Sequence, residues 1–564
     1  MRTFGSLKLH DDRWVMADVE PHVCIRLKQI FPRVPKTQGP PFVFSADLGT
    51  AADLDWFVTR YPLALTKADR EALRRARRRY EATQVELEQI LAPDYVPPSR
   101  VGLKPDAELR VYQAQVADVL LHAHGLLLGD EVGLGKTYAA CGAFLNPGAL
   151  PAVAVCYAHL QKQWRGVVEG FTSLTAHMIK GTQPYTLPGA DVYIFRWSQI
   201  AGWHDAIPLL GVRTVAYDEV QELRTGTKSM KGQAAWALSG AATFKIGLSA
   251  TPIYNYGSEI WQIMQYLRRD VLGPYDDFYR EWTSRGSIRN PEALGSFLRE
   301  QHAFLRRTKR DVGKDMPPVN RIVENIAYDE KSVRSIDDIA HALAIRASSG
   351  QFIERGQAAR ELDMLVRKQT GVAKAKFVAD FARMVVASGE PVVLAGWHRD
   401  VYEIWNERLA DLQPVMYTGS ESPAAKARSL DAFVAGETDV FIMSLRSGAG
   451  LNGLERRAST IIFGELDWSP GVHHQCIGRL DREGQDNYPV TAIFLVTDEG
   501  SDPPMIEVLG IKAAEASAII DPGLGVQHVY TDETHIQKLV ARYLEKRGRA
   551  SSEQLDMQQG ADDA

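Results

Sequence analysis

Lys136 and Thr137 close a glycine-punctuated turn, GLLLGDEVGLGKT, at residues 125–137. An apolar run, Leu126 to Leu128, leads into the turn as a short buried strand, and YAACGAFL follows it as a helix. Between them Gly133, Leu134 and Gly135 let the backbone curl so that its N–H groups face phosphate oxygens. In such a cradle Lys136 reaches the β and γ phosphates and Thr137 a magnesium ion. The strict pattern asks for a glycine five residues before Gly135, where this chain has Asp130, with Gly129 displaced by one. A second element of phosphate chemistry is therefore needed, and VRTVAYDEV at 212–220 supplies it. At the end of that apolar strand Asp218 would hold the metal, and Glu219 would orient and deprotonate an attacking water.

The elements that must position these groups alternate strand with helix from Leu109 onward. GLLLGD, PAVAVCY, DVYIFRW, RTVAYDE and TFKIGLSA read as strands, with LQKQWRGVVEGF, SQIAGWHDAIPLL and a segment near 229–239 as helices between them. That alternation predicts a parallel sheet covered by helices, with ligands at the carboxyl ends of its strands. Ser249 and Thr251 fall at another such end, either to sense a γ phosphate or as a plain strand-end turn. A helical region over 258–312 and a polar helical stretch to about 370 precede a second alternating unit. It is built from PVVLAGW, QPVMYTG, DVFIMSL, STIIFGE and VTAIFLVTD and has no phosphate loop of its own. It would complete the first lobe's site across a cleft through Arg479 and Arg482, three apart on a helix face. The fold expected is α/β: two tandem parallel-sheet lobes with helical insertions, plus a small N-terminal α+β module. The division is 1–100 accessory module, 105–312 first lobe, 313–370 helical inter-lobe segment, 371–510 second lobe, and 511–564 a helix and tail.

Composition narrows the class further. At 564 residues, 45% apolar and 24% charged, the chain is an ordinary globular protein with material for several domains. Its net charge of −5 means that any nucleic-acid surface must be local and offset elsewhere. Four scattered cysteines lack metal-ligand spacing and point to buried thiols in a reducing compartment. With no long apolar run, secretion and membrane insertion are not expected. Thr66 can cap a helix over about 67–91, where Arg70, Arg74, Arg75, Arg77, Arg78 and Arg79 crowd into ten residues. They are either a grip on a phosphate backbone or a solvated face paired with acids such as Glu71, Glu81, Glu86 and Glu88. The proline-rich LAPDYVPPSRVGLKPD then reads as a linker. His473 and His474 have no third metal ligand nearby.

In order and spacing these residues resemble the SWI/SNF-related helicase-like ATPases of superfamily two, over about residues 105–500. DEVGLGKT is similar to that family's phosphate loop, Asp130 included, and LRVYQ to its adenine-reading segment, which makes Gln113 the base-specificity residue. LRRTKRDVGKDMPP, GLSATPIYN, SLRSGAGLN, LDWSP and QCIGRLDREGQ resemble further motifs. DEVQ in place of DEAH or DEGH, a lengthened motif V around Gly453, and Glu483 at a usually apolar position depart from the pattern. None of these removes a catalytic group. The spacing of Arg367, Lys368, Gln369, Thr370, Gly371 and Lys374 further resembles the branch of annealing helicases and their compact bacterial and viral relatives.

The resemblance implies RecA-like lobes, ATP and Mg2+. It implies catalytic roles for Lys136, Asp218, Glu219, Arg479 and Arg482, and DNA contacts by His159, Trp164, Ser198, Ser249, Thr251, Ser447 and Asn452. Arg306, Arg307, Lys309 and Arg310 either line the DNA track or pair within the protein. The activity implied is ATP-driven translocation on double-stranded or branched DNA, in the cytoplasm of a bacterium or phage-infected cell, with the N-terminal module open to a protein partner. An ATP-gated DNA-binding switch and an RNA helicase are the alternatives.

Overall fold

The computed structural model describes residues 2–31, 33–253, 258–284, 287–313, 319–349, 352–445, 451, 453–482, 484–487 and 489–506. Ser447, Asn452, Glu483 and the helix and tail expected over 511–564 lie outside the described residues. A three-stranded antiparallel sheet opens the chain: β1 (Ser6–His10), β2 (Arg13–Ala17) and β3 (Phe42–Ser45). Leu7, Trp14, Met16 and Phe42 face inward from it against Leu54 and Phe57 of the helix Leu48–Arg60. The next helix is Lys67–Leu91, and the Thr66 hydroxyl accepts from the Asp69 N–H at 3.1 Å, the cap its spacing predicts. Its first half packs on this module through Leu73, and its last turns place Leu87 and Ile90 in the core of the following lobe. One helix therefore serves as a strut between two cores.

That following lobe is a seven-stranded parallel sheet. Its strands are β4 (Gly125–Leu128), β5 (Ala152–Cys156), β6 (Ala176–Met178), β7 (Val192–Arg196), β8 (Thr214–Asp218) and β9 (Phe244–Leu248). After the two-residue strands β10 (Thr283–Ser284) and β11 (Ser287–Ile288), which pair with each other, β12 (Phe304–Leu305) completes the sheet. The spatial order is β12-β4-β9-β8-β5-β7-β6. Leu126, Leu127 and Leu128 are all fully buried, each contributing about 1.5–3 kcal/mol, because the sheet is covered on both faces. The segment SQIAGWHDAIPLL does not form the expected helix. It makes two short 3₁₀ turns, Ile200–Trp203 and Ile207–Leu210, because Gly202 lies against the Thr182 carbonyl and Pro208 removes a backbone donor.

The second lobe is a six-stranded parallel sheet of β13 (Asn320–Asn325), β14 (Val392–Gly396), β15 (Val415–Tyr417), β16 (Val440–Ser444), β17 (Thr460–Phe463) and β18 (Thr491–Val496), in the order β13-β18-β17-β14-β16-β15. The 36-residue helix Phe352–Ala387 runs unbroken through residue 371, so the inter-lobe segment and the second lobe share one element. No described helix is long and apolar enough to cross a membrane.

The proline-rich segment before the first lobe has no regular structure, yet it is docked rather than loose. The Arg100 guanidinium forms a buried ion pair with Asp118 and donates to Asn146, and the Tyr95 hydroxyl donates to Asp118 at 2.8 Å. Removing one partner of such a pair leaves an uncompensated buried charge. We expect Arg100→Ala to lose about 3 kcal/mol in urea unfolding, with the exposed Arg78→Ala within about 0.5 kcal/mol of wild type.

Candidate active site

The turn after β4 is held open by its glycines. Gly133 (φ 89°) and Gly135 (φ 73°) both adopt the left-handed conformation. A Cβ at residue 135 would lie 2.5 Å from Nε2 of Gln113. That amide donates to the Leu134 carbonyl at 3.1 Å while its oxygen accepts from the Arg110 N–H at 3.1 Å, so Gln113 lashes the loop to the helix Val111–Ala123. Each of these bonds uses one of the amide's two N–H groups or one of its two lone pairs. Lys136 begins the helix Lys136–Phe144, and its ammonium donates to the carbonyls of Asp130 (2.5 Å) and Glu131 (3.2 Å). Burial pushes its pKa down to about 8, against the attraction of Asp130, Glu219 and Asp218. A cation held so is poised for an anion with oxygens to replace those carbonyls.

Asp218 ends β8 and Glu219 turns the chain there with φ 53°, a strained conformation for a residue with a Cβ. Trp164 Nε1 donates to the Asp218 carboxylate at 2.8 Å, and Trp197 Nε1 to the Asp218 carbonyl at 3.0 Å. Burial first, and the Glu219 charge second, raise the Asp218 pKa above the ordinary carboxylate range. Glu219 accepts from Gln221 (2.6 Å) and, across the cleft, from Gln475 (3.2 Å).

Gln475 comes from the second lobe, on the helix Pro470–Ile477, and its amide also lies 3.4 Å from the Thr251 hydroxyl. The sequence places it inside a motif without giving it a role; its position one helical turn before Arg479 is the available signal. The arginines themselves are not on a helix face as expected. The helix ends at Ile477 with Gly478 as its cap, and tight turns that bury Leu480 carry Arg479 and Arg482. Gly478 permits this approach, since a Cβ there would lie 3.0 Å from the Val132 side chain. Arg479 is 8% exposed, and its Nε has no hydrogen-bond partner. Burial lowers its pKa while Glu219 and Asp218 attract its charge. Burial and then the Arg479 charge lower that of Arg482 to about 10. The two lobes thus bring Lys136, Asp218, Glu219, Arg479 and Arg482 to one seam, with an orphaned buried donor aimed at no protein group.

Other expectations need correction. Trp164, assigned to DNA, is 1% exposed and its indole is committed to Asp218, because Gln161, Trp164 and Val168 form the buried face of the helix Gln161–Phe171. Ser249 and Thr251 are also buried, with the Ser249 hydroxyl accepting from the Thr251 N–H at 3.1 Å. His159 and Ser198 are exposed on the loops that follow β5 and β7. In the LRRTK segment the alternative of internal pairing holds. Arg307 clamps Asp130 at 2.7 and 3.0 Å, Arg306 donates to the Gly129 carbonyl at 2.8 Å, and Lys309 pairs with Asp481 at 3.0 Å. Only Arg310 of the four is exposed. His473 accepts from the Asp467 N–H at 3.2 Å, and burial lowers it and His474 to about 4, so both are neutral. No group of three or more His, Cys, Asp or Glu among the described residues could hold a metal by itself.

A polyphosphate bound at Lys136 would return its pKa toward the ordinary value of about 10.4. Binding then favours the protonated lysine, so affinity is full below pH 8 and falls above it. Titration with a fluorescent ATP analogue should weaken about tenfold from pH 7 to pH 9 in wild type and stay flat in Lys136→Ala. An equal slope in the variant would assign the dependence to another group.

A model of the SNF2-related domain matches residues 51–372. Among curated relatives, a Caenorhabditis elegans homolog of SWI/SNF-related matrix-associated actin-dependent regulator of chromatin subfamily A-like protein 1 is 25% identical over 426 residues, 70% of this chain and 59% of the relative. An uncharacterized ATP-dependent helicase of Mycoplasma pneumoniae is 22% identical over 390 residues, 64% of this chain and 37% of the relative. The chain therefore spans between about a third and three-fifths of the length of these two relatives. The Sulfolobus solfataricus SWI2/SNF2 ATPase core in complex with dsDNA aligns with 76% of this chain and 96% of its own at 18% identity, with a TM-score of 0.38. With more than half of its length matched by the family's domain, the chain belongs to the SNF2-related family of helicase-like ATPases.

Proposed function

We propose that the chain is a DNA-stimulated ATP hydrolase that moves along double-stranded DNA. The observation that supports this reading most is the Gln475 amide bridging Glu219 and Thr251, because it ties the second lobe to the hydrolytic carboxylate of the first. In this reading Gln113 is available to the base, Gly133, Leu134 and Gly135 cradle the phosphates, and Lys136 sets its charge against the β and γ oxygens. Glu219 orients a water and takes its proton, and Arg479 and Arg482 stabilise the charge that develops as the γ phosphoryl leaves. Magnesium fits the corner where two adjacent carboxylates repel each other in a buried site. Thr137 and Asp218 would hold it, and it would neutralise phosphate oxygens.

Closing and opening of the seam would then alternate the grip of the two lobes on the duplex. His159 and Ser198, exposed on lobe-one loops at the carboxyl edge of the sheet, are the contacts best placed for phosphate oxygens. Ser447 and Asn452 are assigned the same role from their motif. The relatives' names, a regulator of chromatin and an ATP-dependent helicase, agree with a DNA substrate. The domain division at 1–100, 105–312, 313–370, 371–510 and 511–564 belongs to this reading.

Steady-state hydrolysis should be low alone and rise with duplex or forked DNA, with Lys136→Ala at background throughout. Stimulation by RNA alone would overturn the substrate, and rates indifferent to every polymer would leave a partner-gated switch. Arg482→Ala should keep nucleotide binding within a few fold and lose about 10³-fold or more in turnover. Loss of binding with it would make Arg482 a ground-state contact instead.

A further inference from the structure

The ATP site does not use the arginine-rich half of the helix Lys67–Leu91. Six arginines and one glutamate occupy residues 70–79 of a chain whose net charge is negative. Arg77 is spoken for: it pairs with Asp55 at 3.0 Å and Glu81 at 2.7 Å, pinning this helix to Leu48–Arg60. The other five are exposed, and among the described residues none forms an ion pair within the protein. Ala72, Leu73 and Ala76 supply the face packed on the N-terminal module, so Arg74 and Arg78 lie opposite that face and Arg70, Arg75 and Arg79 lie on its flanks, at about 100° per residue. Arg70, Arg74 and Arg78 form one row at four-residue spacing, and Arg75 and Arg79 form the next.

Such an array is costly for a helix alone. Like charges four residues apart repel, and cations near a helix amino terminus oppose its dipole. Of the acids expected to compensate it, Glu71, Glu81, Glu86 and Glu88, Glu81 pairs with Arg77 and Glu86 with His122 at 3.0 Å, and among the described residues none pairs with the five exposed arginines. Successive arginines in one row are about 6 Å apart along the axis, close to the rise of two phosphates on one DNA strand at about 3.4 Å each. The helix is also anchored in the lobe that carries the phosphate loop. Leu87 and Ile90 sit in that core, and the Gln115 amide donates to the Ile90 carbonyl at 2.9 Å. Whatever the arginines hold is therefore held rigidly to lobe one.

We propose that Arg70, Arg74, Arg75, Arg78 and Arg79 form a second, sequence-independent contact for the backbone of duplex DNA, outside the cleft between the lobes. This rests on the DNA reading above. The contact keeps lobe one on the duplex while the seam opens, and it sets DNA affinity without touching hydrolysis. Only phosphate is recognised, so lysine substitutes for arginine with little loss.

The test uses the full chain with all five arginines changed to glutamine, which is nearly as good a helix former, and a second variant with all five changed to lysine. Arg77 is kept because it holds the module together. Binding of a fluorescein-labelled 30-base-pair duplex is followed by anisotropy from 50 to 200 mM salt without nucleotide. The glutamine variant should bind at least about tenfold more weakly at the lower salt. Its log–log salt slope should be shallower by up to about 4.5, at roughly 0.9 for each phosphate that is no longer neutralised. The lysine variant should retain the slope. DNA-free hydrolysis should be unchanged, and the DNA concentration for half-maximal stimulation should rise with the plateau kept. An unchanged slope in a glutamine variant that melts at the wild-type temperature would overturn the proposal. So would retention of anionic lipid vesicles in place of DNA by the wild-type chain. If wild-type hydrolysis ignores DNA yet the salt-dependent binding still maps to these arginines, the contact stands and the translocase reading fails. If the glutamine variant does not fold, Arg70→Gln/Arg74→Gln/Arg78→Gln replaces it, with a slope shallower by up to about 2.7 expected and no change contradicting the proposal.

Discussion

The phosphate loop keeps its position through a buried ion pair. Asp130 is 2% exposed, and a carboxylate so removed from water must be paired or neutralised. Arg307 answers it with two side-chain bonds and its own backbone N–H, and the same guanidinium donates to the Tyr112 carbonyl beside Gln113. One arginine thereby fixes the loop, the helix that supports it and the strand β12 at the sheet edge. Two residues on, Lys309 reaches Asp481 in the second lobe. The aspartate that breaks the strict loop pattern anchors the end of the first lobe, just before the inter-lobe segment. A glycine there would leave the Arg307 charge half-buried without its partner.

The seam between the lobes gathers charge that the protein does not fully compensate. Two adjacent carboxylates and three cations meet there, and burial opposes the charged form of Asp218, Lys136, Arg479 and Arg482 alike. A site of this kind is expensive to assemble and gains most from a ligand carrying complementary charge. The preorganised dipoles and cations are also what a dissociating phosphoryl group requires. Because Gln475 and the two arginines belong to the other lobe, the hydrolysis proposed above would depend on the two lobes being brought together.

Much of this is legible in the chain. Strand ends, glycine turns and the alternation of apolar runs depend on local pattern, and the loop, Asp218, Glu219 and both sheets follow from it. What is not legible depends on partners distant in sequence. The Asp130–Arg307 pair joins residues 177 apart, and nothing local in RRTKR tells a DNA-facing cation from one clamped to a carboxylate. Trp164 is a different case, because the period is present: Gln161, Trp164 and Val168 mark a buried helix face, and that pattern outweighs the family motif that pointed to DNA. The end of the helix before Arg479 is signalled by Gly478. The strands β6, β12 and β13 leave little trace in the sequence because they are short or at a sheet edge, where pairing rather than residue pattern decides.

A nucleotide-gated clamp and a motor share every one of these contacts, and they differ only in whether repeated closure produces net movement. Displacement of a fluorescent triplex-forming strand from a duplex, with saturating ATP and a start site on one side, separates them. A translocase predicts release that requires ATP, is lost in Glu219→Gln, and is delayed in proportion to the distance between start site and triplex. ATP hydrolysis at the full DNA-stimulated rate with the triplex left in place would contradict translocation and leave a switch.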